Sequence, residues 1–320
     1  MLKAIKNIAK RTKIIYNTKG RRNMAEYLKL TNDIVFQRIF GRVGNENITK
    51  AFLEKILGIK IEELTLDTNK RLIGEEIEDK IGRVDVKAKL QDGTKVIIEM
   101  QVTEYSYMVK RLLYYWSRVY VGDLKRGKEY DELNKTIAIL ISVENLEETK
   151  EIEKYHTEWE LREKEHKEIK LTEDIEIHII ELGKFKEGKE KRPEDIWIKA
   201  LKAEGEKEME ELLKNNKELR EMKEELERIT ADPELREKYY YREKQLRDEL
   251  SRIKDGYMKG IKEGKKEGIL EGKKEGIIEG KEEKEKEIVL NMHKNNMDIK
   301  TICNIVQIAE DEVRKIIGEA

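Results

Sequence analysis

The amino-acid sequence predicts an α/β domain, trailed by a long charged helical region and a small helical segment. Three observations lead there. Helical periodicity near residues 31–57 gives way to three strand-like runs, an aromatic-rich helix and a fully apolar strand. From about Gly205, Glu and Lys dominate with sparse Leu, Met and Ile. Within that stretch Gly recurs at every fourth position from Gly256 to Gly280.

Each element rests on a local pattern. Thr31 is a candidate N-cap with Asp33 in the first turn behind it, where a negative charge favours the helix dipole. Ile34, Val35, Phe36, Ile39 and Phe40 form the apolar face, and Gly41 to Gly44 interrupt it. Ile48, Phe52, Leu53, Ile56 and Leu57 mark a second helix ending at Gly58. Ile61 to Asp67, Gly82 to Leu90 and Lys95 to Thr103 read as strands, and Tyr105 to about Lys125 as a helix. Thr136 to Val143 is an apolar run of buried-strand type, and Asp174 to Leu182 is a further candidate. The expected domain occupies residues 24–200. Residues 201–255 are expected to be solvent-exposed helix or thin coiled coil, 256–287 the Gly repeat, and 288–320 three short helices, with Asp298 and Glu310-Asp311 marking two starts.

Composition excludes several classes. Charged residues make up 42% of the 320, against about a quarter ordinarily. A net charge of −1 gives no global basic signature for nucleic acid, although a local basic strip is still permitted. The single cysteine, Cys303, excludes an intramolecular disulfide and fits a cytoplasmic location. One Cys and four scattered His exclude a Cys/His zinc cluster. No apolar run approaches the roughly 20 residues that span a bilayer. Residues 1–23 carry Lys3, Lys6, Lys10, Arg11, Lys13, Lys19, Arg21 and Arg22 with no acidic residue before Glu26. They lack the apolar stretch of a secretory signal. This basic leader is either an arm for DNA or an untranslated segment. Met24 is the favoured start, because Lys19-Gly20-Arg21-Arg22-Asn23 can be encoded by purine-rich codons of ribosome-binding type.

The chemistry concentrates in one hairpin. Residues 84–90 alternate: Val84, Val86, Ala88 and Leu90 share one face, and Arg83, Asp85, Lys87 and Lys89 the other. Val96, Ile98, Met100 and Val102 alternate likewise with Ile97, Glu99, Gln101 and Thr103. A two-residue turn at Asp92-Gly93 would set apolar residues beside polar ones, a slip disfavoured wherever one face is buried. A three-residue loop with Gly93 left-handed pairs Val86 with Ile98 and Val84 with Met100. It also sets Asp85 opposite Glu99 and Arg83 opposite Gln101. Opposed residues have Cβ atoms about 4.5–5.5 Å apart, where two carboxylates repel unless a cation intervenes. Mg²⁺ takes one or two carboxylates and completes its shell with water and substrate phosphate, and Mn²⁺ is an alternative. The bland reading is a solvated face of alternating charges. Against it, residues 96–102 look buried on both faces, and an ionised Glu there is costly unless paired or metal-bound.

These residues carry a resemblance. Asp85, then Glu99-Met100-Gln101, resembles the PD-(D/E)XK nuclease signature in the variant with Gln for Lys. Thr31-Asn32-Asp33-Ile34-Val35-Phe36, Val84-Asp85-Val86-Lys87-Ala88, Ile98-Glu99-Met100-Gln101 and Tyr114-Tyr115-Trp116-Ser117-Arg118 resemble the Rpn family of recombination-promoting nucleases and putative transposases. Glu176 to Leu182 and Trp197 also fit, so the likeness covers about residues 24–200. It implies a restriction-endonuclease-like αβββαβ core and Mg²⁺-dependent cleavage of double-stranded DNA, linked to recombination or mobile elements. By position, Asp33 would be the early helical acid, Asp85 and Glu99 the metal ligands, and Gln101 the replacement for the catalytic Lys. One departure stands out: Gln37 sits where the family usually has Lys, although Arg38 is adjacent.

Other features admit two readings each. Asp33 either stabilises its helix or joins the site. Arg111 and Arg118, seven apart with Tyr107 and Tyr114, either contact DNA phosphates or belong to a helix packed on the sheet. Lys87 either supplies the missing ammonium or pairs with an acid. His156 and His178 fit packing or surface roles better than ligation. The Gly repeat is either a tether or a marginal helix. Ile261, Ile269 and Ile277 recur beside it, and as a helix it offers a route to a homodimer. The terminal segment, with Ile299, Ile302, Ile305, Val306, Val313, Ile316 and Ile317 as its core, resembles a tiny helix-turn-helix lacking a turn Gly. The leading expectation is a metal-dependent DNA endonuclease. The alternative is a non-catalytic DNA-binding or assembly protein on a decayed nuclease scaffold.

Overall fold

A computed structural model describes residues 28–67, 84–102, 107–122, 124, 129–188, 191–214, 216 and 219–318. The basic leader, the Met24 start, Arg83 and Thr103 lie outside the described residues. In chain order the elements are α1 (Asp33–Phe40), α2 (Glu46–Leu57), β1 (Leu64–Leu66), β2 (Val86–Leu90), β3 (Lys95–Gln101) and α3 (Met108–Val121). Then follow β4 (Thr136–Ser142), β5 (His156–Glu160), β6 (Ile175–Glu181), α4 (Asp195–Lys202), α5 (Glu206–Lys214), α6 (Arg220–Ala231), α7 (Pro233–Lys294), α8 (Ile299–Val306) and α9 (Glu310–Ile317). The expected helix, three strands, helix, strand order is present.

Among the described residues the sheet has six strands in the order β1-β2-β3-β4-β6-β5. β1, β2 and β3 form an antiparallel meander, β3, β4 and β6 run parallel, and β5 pairs antiparallel at the edge. The β3–α3–β4 connection needs a helix because parallel neighbours require a crossover. Buried Lys95, at the start of β3, donates to the Val119 and Tyr120 carbonyls at 3.0 and 3.1 Å. It thereby pins the C-terminal turn of α3, where a cation is favoured.

Both faces of the sheet are covered. Val86, Ala88, Leu90, Val96, Ile98, Met100, Ile139 and Ile141 pack against α1, α2 and the helices that follow β6. Ile97, Ala138, Leu140 and Ile179 pack under Met108, Leu112, Tyr115 and Val119 of α3. Trp197 of α4 seats its ring 6.0 Å from Phe40 and 5.5 Å from Phe52, edge to face. The core does not stop at residue 200: Met209, Leu219, Met222, Leu226 and Ile229 are buried in it as well. α5 and α6 each carry one narrow apolar stripe, which their many Glu and Lys residues conceal in the sequence. They are therefore packed elements, where solvated helix was expected.

The hairpin between β2 and β3 closes as the pattern demands. Val86 pairs with Ile98 and Ala88 with Val96. Leu90 N–H donates to the Thr94 carbonyl at 2.9 Å across a three-residue loop in which Gly93 has φ 89°. Asp92 stiffens the loop by accepting from the Thr94 amide at 2.9 Å and its hydroxyl at 3.0 Å. One expectation fails at the other end. Val84 was expected to share the face of Val86, but it packs with Ile97 and Leu112 on the α3 face. The backbone bends at Asp85, just before β2 begins, and the strict alternation ends there. The N-cap of α1 also shifts by one residue, to Asn32, whose side chain accepts from the Ile34 amide at 3.1 Å.

The chain divides into two compact units, residues 1–248 and 249–320. α7 begins with Pro233 behind Asp232, whose carboxylate accepts from the Glu234 and Leu235 amides at 2.9 and 3.2 Å. It is continuous through the Gly repeat, so that segment is helical, and Ile261, Ile269 and Ile277 are exposed along it. In the second unit Val289, Ile302 and Val313 form a small core. Asp298 caps α8 by accepting from the Thr301 amide at 3.0 Å. Gln307, at φ 63°, makes the turn for which the sequence offers no Gly. Among the described residues no helix is long and apolar enough to cross a membrane.

Gly93 tests the hairpin closure. A Cβ there would lie 2.8 Å from Asn134 Oδ1, and left-handed backbone costs a non-Gly residue roughly 1–2 kcal/mol. Gly93→Ala is expected to lower unfolding free energy in urea by about 2 kcal/mol. Adding Asn134→Ala should restore only part of the loss. A neutral Gly93→Ala would show that the loop does not constrain the register.

Candidate active site

The bend at Asp85 changes what its carboxylate does. In an unbroken ladder the side chain would stand out from the sheet. Here Oδ2 accepts the Met100 backbone amide of β3 at 2.7 Å, and Oδ1 accepts Nε2 of Gln37 from α1, also at 2.7 Å. Asp85 is thus fixed between the strand that follows in sequence and a helix from one face of the sheet. Only 7% of its surface remains exposed.

Glu99 lies beside Met100 on β3, with 4% of its surface exposed. Its Oε2 faces Nη2 of Arg111 at 3.5 Å, a long contact, and its Oε1 is buried with no hydrogen-bond partner among the described residues. Arg111 comes from α3, on the opposite face from α1. Its Nε donates to the Tyr115 hydroxyl at 3.0 Å, and the guanidinium sits 5.3 Å from the Tyr115 ring centre. Arg111 and Tyr115 are one helical turn apart, so each orients the other.

The electrostatics follow from this geometry. Burial drives the Asp85 carboxyl up to about 6; the Gln37 and Met100 hydrogen bonds oppose it, and nearby Asp33 adds to it. Burial also drives Glu99 well above the ordinary range, reinforced by the Asp85 charge and opposed by Arg111. Two buried acids, each pressed by a neighbouring carboxylate, Asp85 by Asp33 and Glu99 by Asp85, form a site that wants positive charge. Burial keeps Tyr115 a neutral phenol over the working pH range.

A divalent cation fits this donor set. Each carboxylate oxygen has two lone pairs, so an oxygen that accepts a hydrogen bond, as those of Asp85 do, can also face a cation. The orphaned Oε1 of Glu99 is a buried acceptor with nothing to accept from, which is the state a missing ligand leaves. Among the described residues no cluster of three or more His, Cys, Asp and Glu side chains forms. Two carboxylates with water and phosphate is the pattern Mg²⁺ takes.

The other expected residues are placed as follows. Asp33 joins the neighbourhood: Gln37, one turn on in α1, holds Asp85, and Asp33 Oδ2 is itself held 2.7 Å from Arg242 Nε of α7. Gln101 ends β3, partly exposed, and its side-chain amide makes no hydrogen bond among the described residues. Arg38 is exposed on α1 beside Gln37, in a cleft of about 460 Å³ that Arg42 and Lys238 also line. Arg118 is half-buried on α3, and its Nε has no hydrogen-bond partner. Lys87 is turned away: its ammonium pairs with Asp67 at 2.9 Å, the salt-bridge alternative. His156 and His178 lie in a separate buried chain. Glu194 meets His156 Nδ1 at 2.8 Å, His156 Nε2 meets His178 Nδ1 at 2.8 Å, and His178 Nε2 meets Glu176 at 2.7 Å.

Sequence reasoning missed three participants. Gln37 stands in the sequence only as a departure from the family's usual Lys; it is the partner of Asp85, signalled by its spacing of four from Asp33. Tyr115 entered only as part of the Tyr114-to-Arg118 family likeness, and its spacing of four from Arg111 was the available cue. Arg242 gave no cue, lying among charged residues 209 positions from Asp33.

Residues 30–256 match the PD-(D/E)XK nuclease family transposases. Comparison with the curated proteins and with the solved structures gives no match in either. The matched span contains both acids, all six described strands and the helices through the first third of α7.

The acid pair makes a stability prediction. A carboxyl whose folded pKa is raised binds its proton more tightly when folded. It therefore favours the fold below its unfolded value near 4, and that contribution is lost as pH rises through about 6. The cost of keeping Asp85 ionised at neutral pH is on the order of 3 kcal/mol. Asp85→Asn removes it, since a flipped Gln37 amide can still bond the new side chain. Metal-free Asp85→Asn should melt higher than wild type at pH 7.5, and the gap should close towards pH 4. Equal melting temperatures across that range would show that Asp85 is not strained by burial.

Proposed function

The chain belongs to the PD-(D/E)XK nuclease family transposases, and from that membership and the buried acid pair we propose that it is a divalent-metal-dependent endonuclease of double-stranded DNA, acting in recombination or mobile-element movement. The observation that carries this reading is the unpartnered, buried Oε1 of Glu99 beside Asp85. Asp85 and Glu99 would hold the cation, Mg²⁺ or Mn²⁺. When bound, such an ion polarises a phosphodiester and offsets charge developing on its oxygens.

The protein's own groups do the rest. The Met100 amide and Gln37 fix Asp85 so that it need not reorganise as substrate arrives, which is the advantage of preorganised polar groups. Arg111, braced by Tyr115, offsets part of the charge on Glu99 and keeps its carboxylate oriented. Gln101, partly exposed at the end of β3, would orient a phosphate oxygen or the attacking water. Arg38, and Arg118 on the α3 side, serve backbone phosphates, the contacts that position DNA without reading its sequence. Cutting both strands needs two sites, and we assign the pairing to the Gly-repeat portion of α7. Its small residues allow close approach, and Ile261, Ile269 and Ile277 supply apolar contacts.

One observation favours the alternative, a binding or assembly protein on a decayed scaffold. Gln stands at both positions 37 and 101, and Lys87 is committed to Asp67, so no ammonium from these positions enters the site.

Plasmid nicking separates the two. Wild type with Mg²⁺ is expected to nick supercoiled DNA. Asp85→Ala and Glu99→Ala should each be slower by about a thousandfold, roughly 4 kcal/mol of barrier. DNA binding without nicking by wild type would establish the decayed scaffold. Pairing is tested by sedimentation: Ile261→Lys with Ile269→Lys and Ile277→Lys should convert a dimer to a monomer. An unchanged sedimentation coefficient would remove the Gly-repeat segment as the pairing element.

A further inference from the structure

We propose that Arg242 neutralises Asp33 against the divalent cation, so that the first turns of α7 set how much negative charge the acid site presents. The inference rests on the metal reading above and adds to it a control by a residue far away in sequence.

Asp33 is the third acid of the neighbourhood. It sits one turn before Gln37 on α1, Gln37 bonds Asp85, and the charge of Asp33 is felt at Asp85. Asp85 and Glu99 have their carboxylates approached by groups in the sheet, on α1 and on α3. Asp33 is different: its Oδ2 is engaged by Arg242 Nε at 2.7 Å. A guanidinium is always charged and strongly hydrogen-bonding, so it occupies the position a cation would take.

The pair is not an accident of two loose surface side chains. Arg242 lies on the face of α7 that is packed down. Tyr239, three residues before it, and Leu246, four after it, are both buried. The Tyr239 hydroxyl approaches the Lys29 amide at 3.4 Å, and Glu243 accepts the side-chain amide of Asn32, the N-cap of α1, at 3.0 Å. α7 therefore grips the start of α1 at consecutive positions 32 and 33. Arg242 and Asp33 keep 33% and 24% of their side-chain surface exposed, enough for exchange with a hydrated ion.

Three carboxylates here face two guanidiniums, Arg111 and Arg242. Removing Arg242 leaves the charge of Asp33 unanswered, open to a hydrated cation through water, and makes the site more negative. A cation should then bind more tightly. A purely structural role for Arg242 predicts the reverse, because loosening α1 would spoil the site.

Calorimetric titration of the full-length protein with MnCl₂ tests this without any turnover. Arg242→Gln is expected to bind Mn²⁺ about tenfold more tightly than wild type, the scale of one nearby charge at protein-surface dielectric. Arg242→Lys should stay close to wild type. In an Asp33→Asn background, Arg242→Gln should produce no tightening. Arg242→Met, which keeps the packed stem, replaces the Gln variant if that one does not fold. Unchanged or weaker Mn²⁺ binding in Arg242→Gln, or tightening that persists without Asp33, overturns the proposal. Asp85→Asn is the control for its foundation. If that variant binds Mn²⁺ as wild type does, the metal reading fails and takes this proposal with it. If Asp85→Asn abolishes binding while Arg242→Gln changes nothing, only the role of Arg242 falls.

Discussion

Two buried carboxyl groups, Asp85 in the bend before β2 and Glu99 near the end of β3, are the constraint around which this structure is arranged. Taken alone they oppose folding, since burial favours the protonated form of each and the charge of Asp85 further raises the proton affinity of Glu99. The surrounding elements act as countermeasures. A backbone amide of β3 and a glutamine from α1 hold one acid, while an arginine from α3, itself braced by a tyrosine, leans on the other. What remains unanswered is one oxygen of Glu99, and that residue of unmet bonding is what a ligand would complete.

The sheet makes this arrangement possible because it is covered on both faces. α1 and α3 lie on opposite faces, yet Gln37 and Arg111 both reach the acids. They can do so because the acids sit where regular pairing stops, Asp85 in the bend before β2 and Glu99 near the carboxyl end of β3. Ends of parallel strands are where open α/β sheets place their ligand sites. Lys95 at the start of β3 ties down the C-terminal turn of α3, and Arg111 near the start of that helix meets Glu99 near the end of the strand. Helix and strand are thereby aligned over their common length, which fixes where the guanidinium arrives.

How far the sequence revealed this depended on whether the determining interactions were local. The β2–β3 register was legible because both strands alternate and Gly93 accepts a left-handed turn, leaving one pairing that keeps Val86, Ala88 and Leu90 together with Val96 and Ile98. Glu99 stood out because an acid in the run from Val96 to Val102 has no bland explanation. The bend at Asp85 was illegible: nothing in Val84-Asp85-Val86 says that alternation stops, since the bend answers to Met100 and Gln37. β5 was missed for a related reason. His156 to Glu160 carries no apolar stripe, and it is a strand because it pairs with β6 and buries His156 and Thr157. α5 and α6 hide behind their charges. Met209, Met222, Leu226 and Ile229 are too few to look like a core until the surface they cover is known.

α7 shows the same limit at the largest scale, and its composition explains why it changes character along its length. From Pro233 to about Leu246 the helix is held by tertiary contacts: Tyr239 and Leu246 are buried, and Arg242 and Glu243 bond the start of α1. Propensity matters little where packing decides. Through the Gly repeat, between the first compact unit and Val289 of the second unit's small core, the described residues of the helix are largely exposed, and the sequence turns unfavourable for a lone helix. Gly recurs seven times between positions 256 and 280, at about 1 kcal/mol each relative to Ala. Glu263, Glu267, Glu271, Glu275 and Glu279 also form a column of like charges at the spacing where carboxylates repel along a helix. Neither column serves the stability of an isolated helix. Both have a use if another helix lies alongside, since a glycine column admits a backbone closely and a carboxylate column can be answered by cations from the partner. The part of α7 that grips α1 is secured by its own packing, so the Asp33–Arg242 contact does not depend on the stability of the glycine-rich part. That separation is what allows the acid site and the repeat to be read as two devices on one helix.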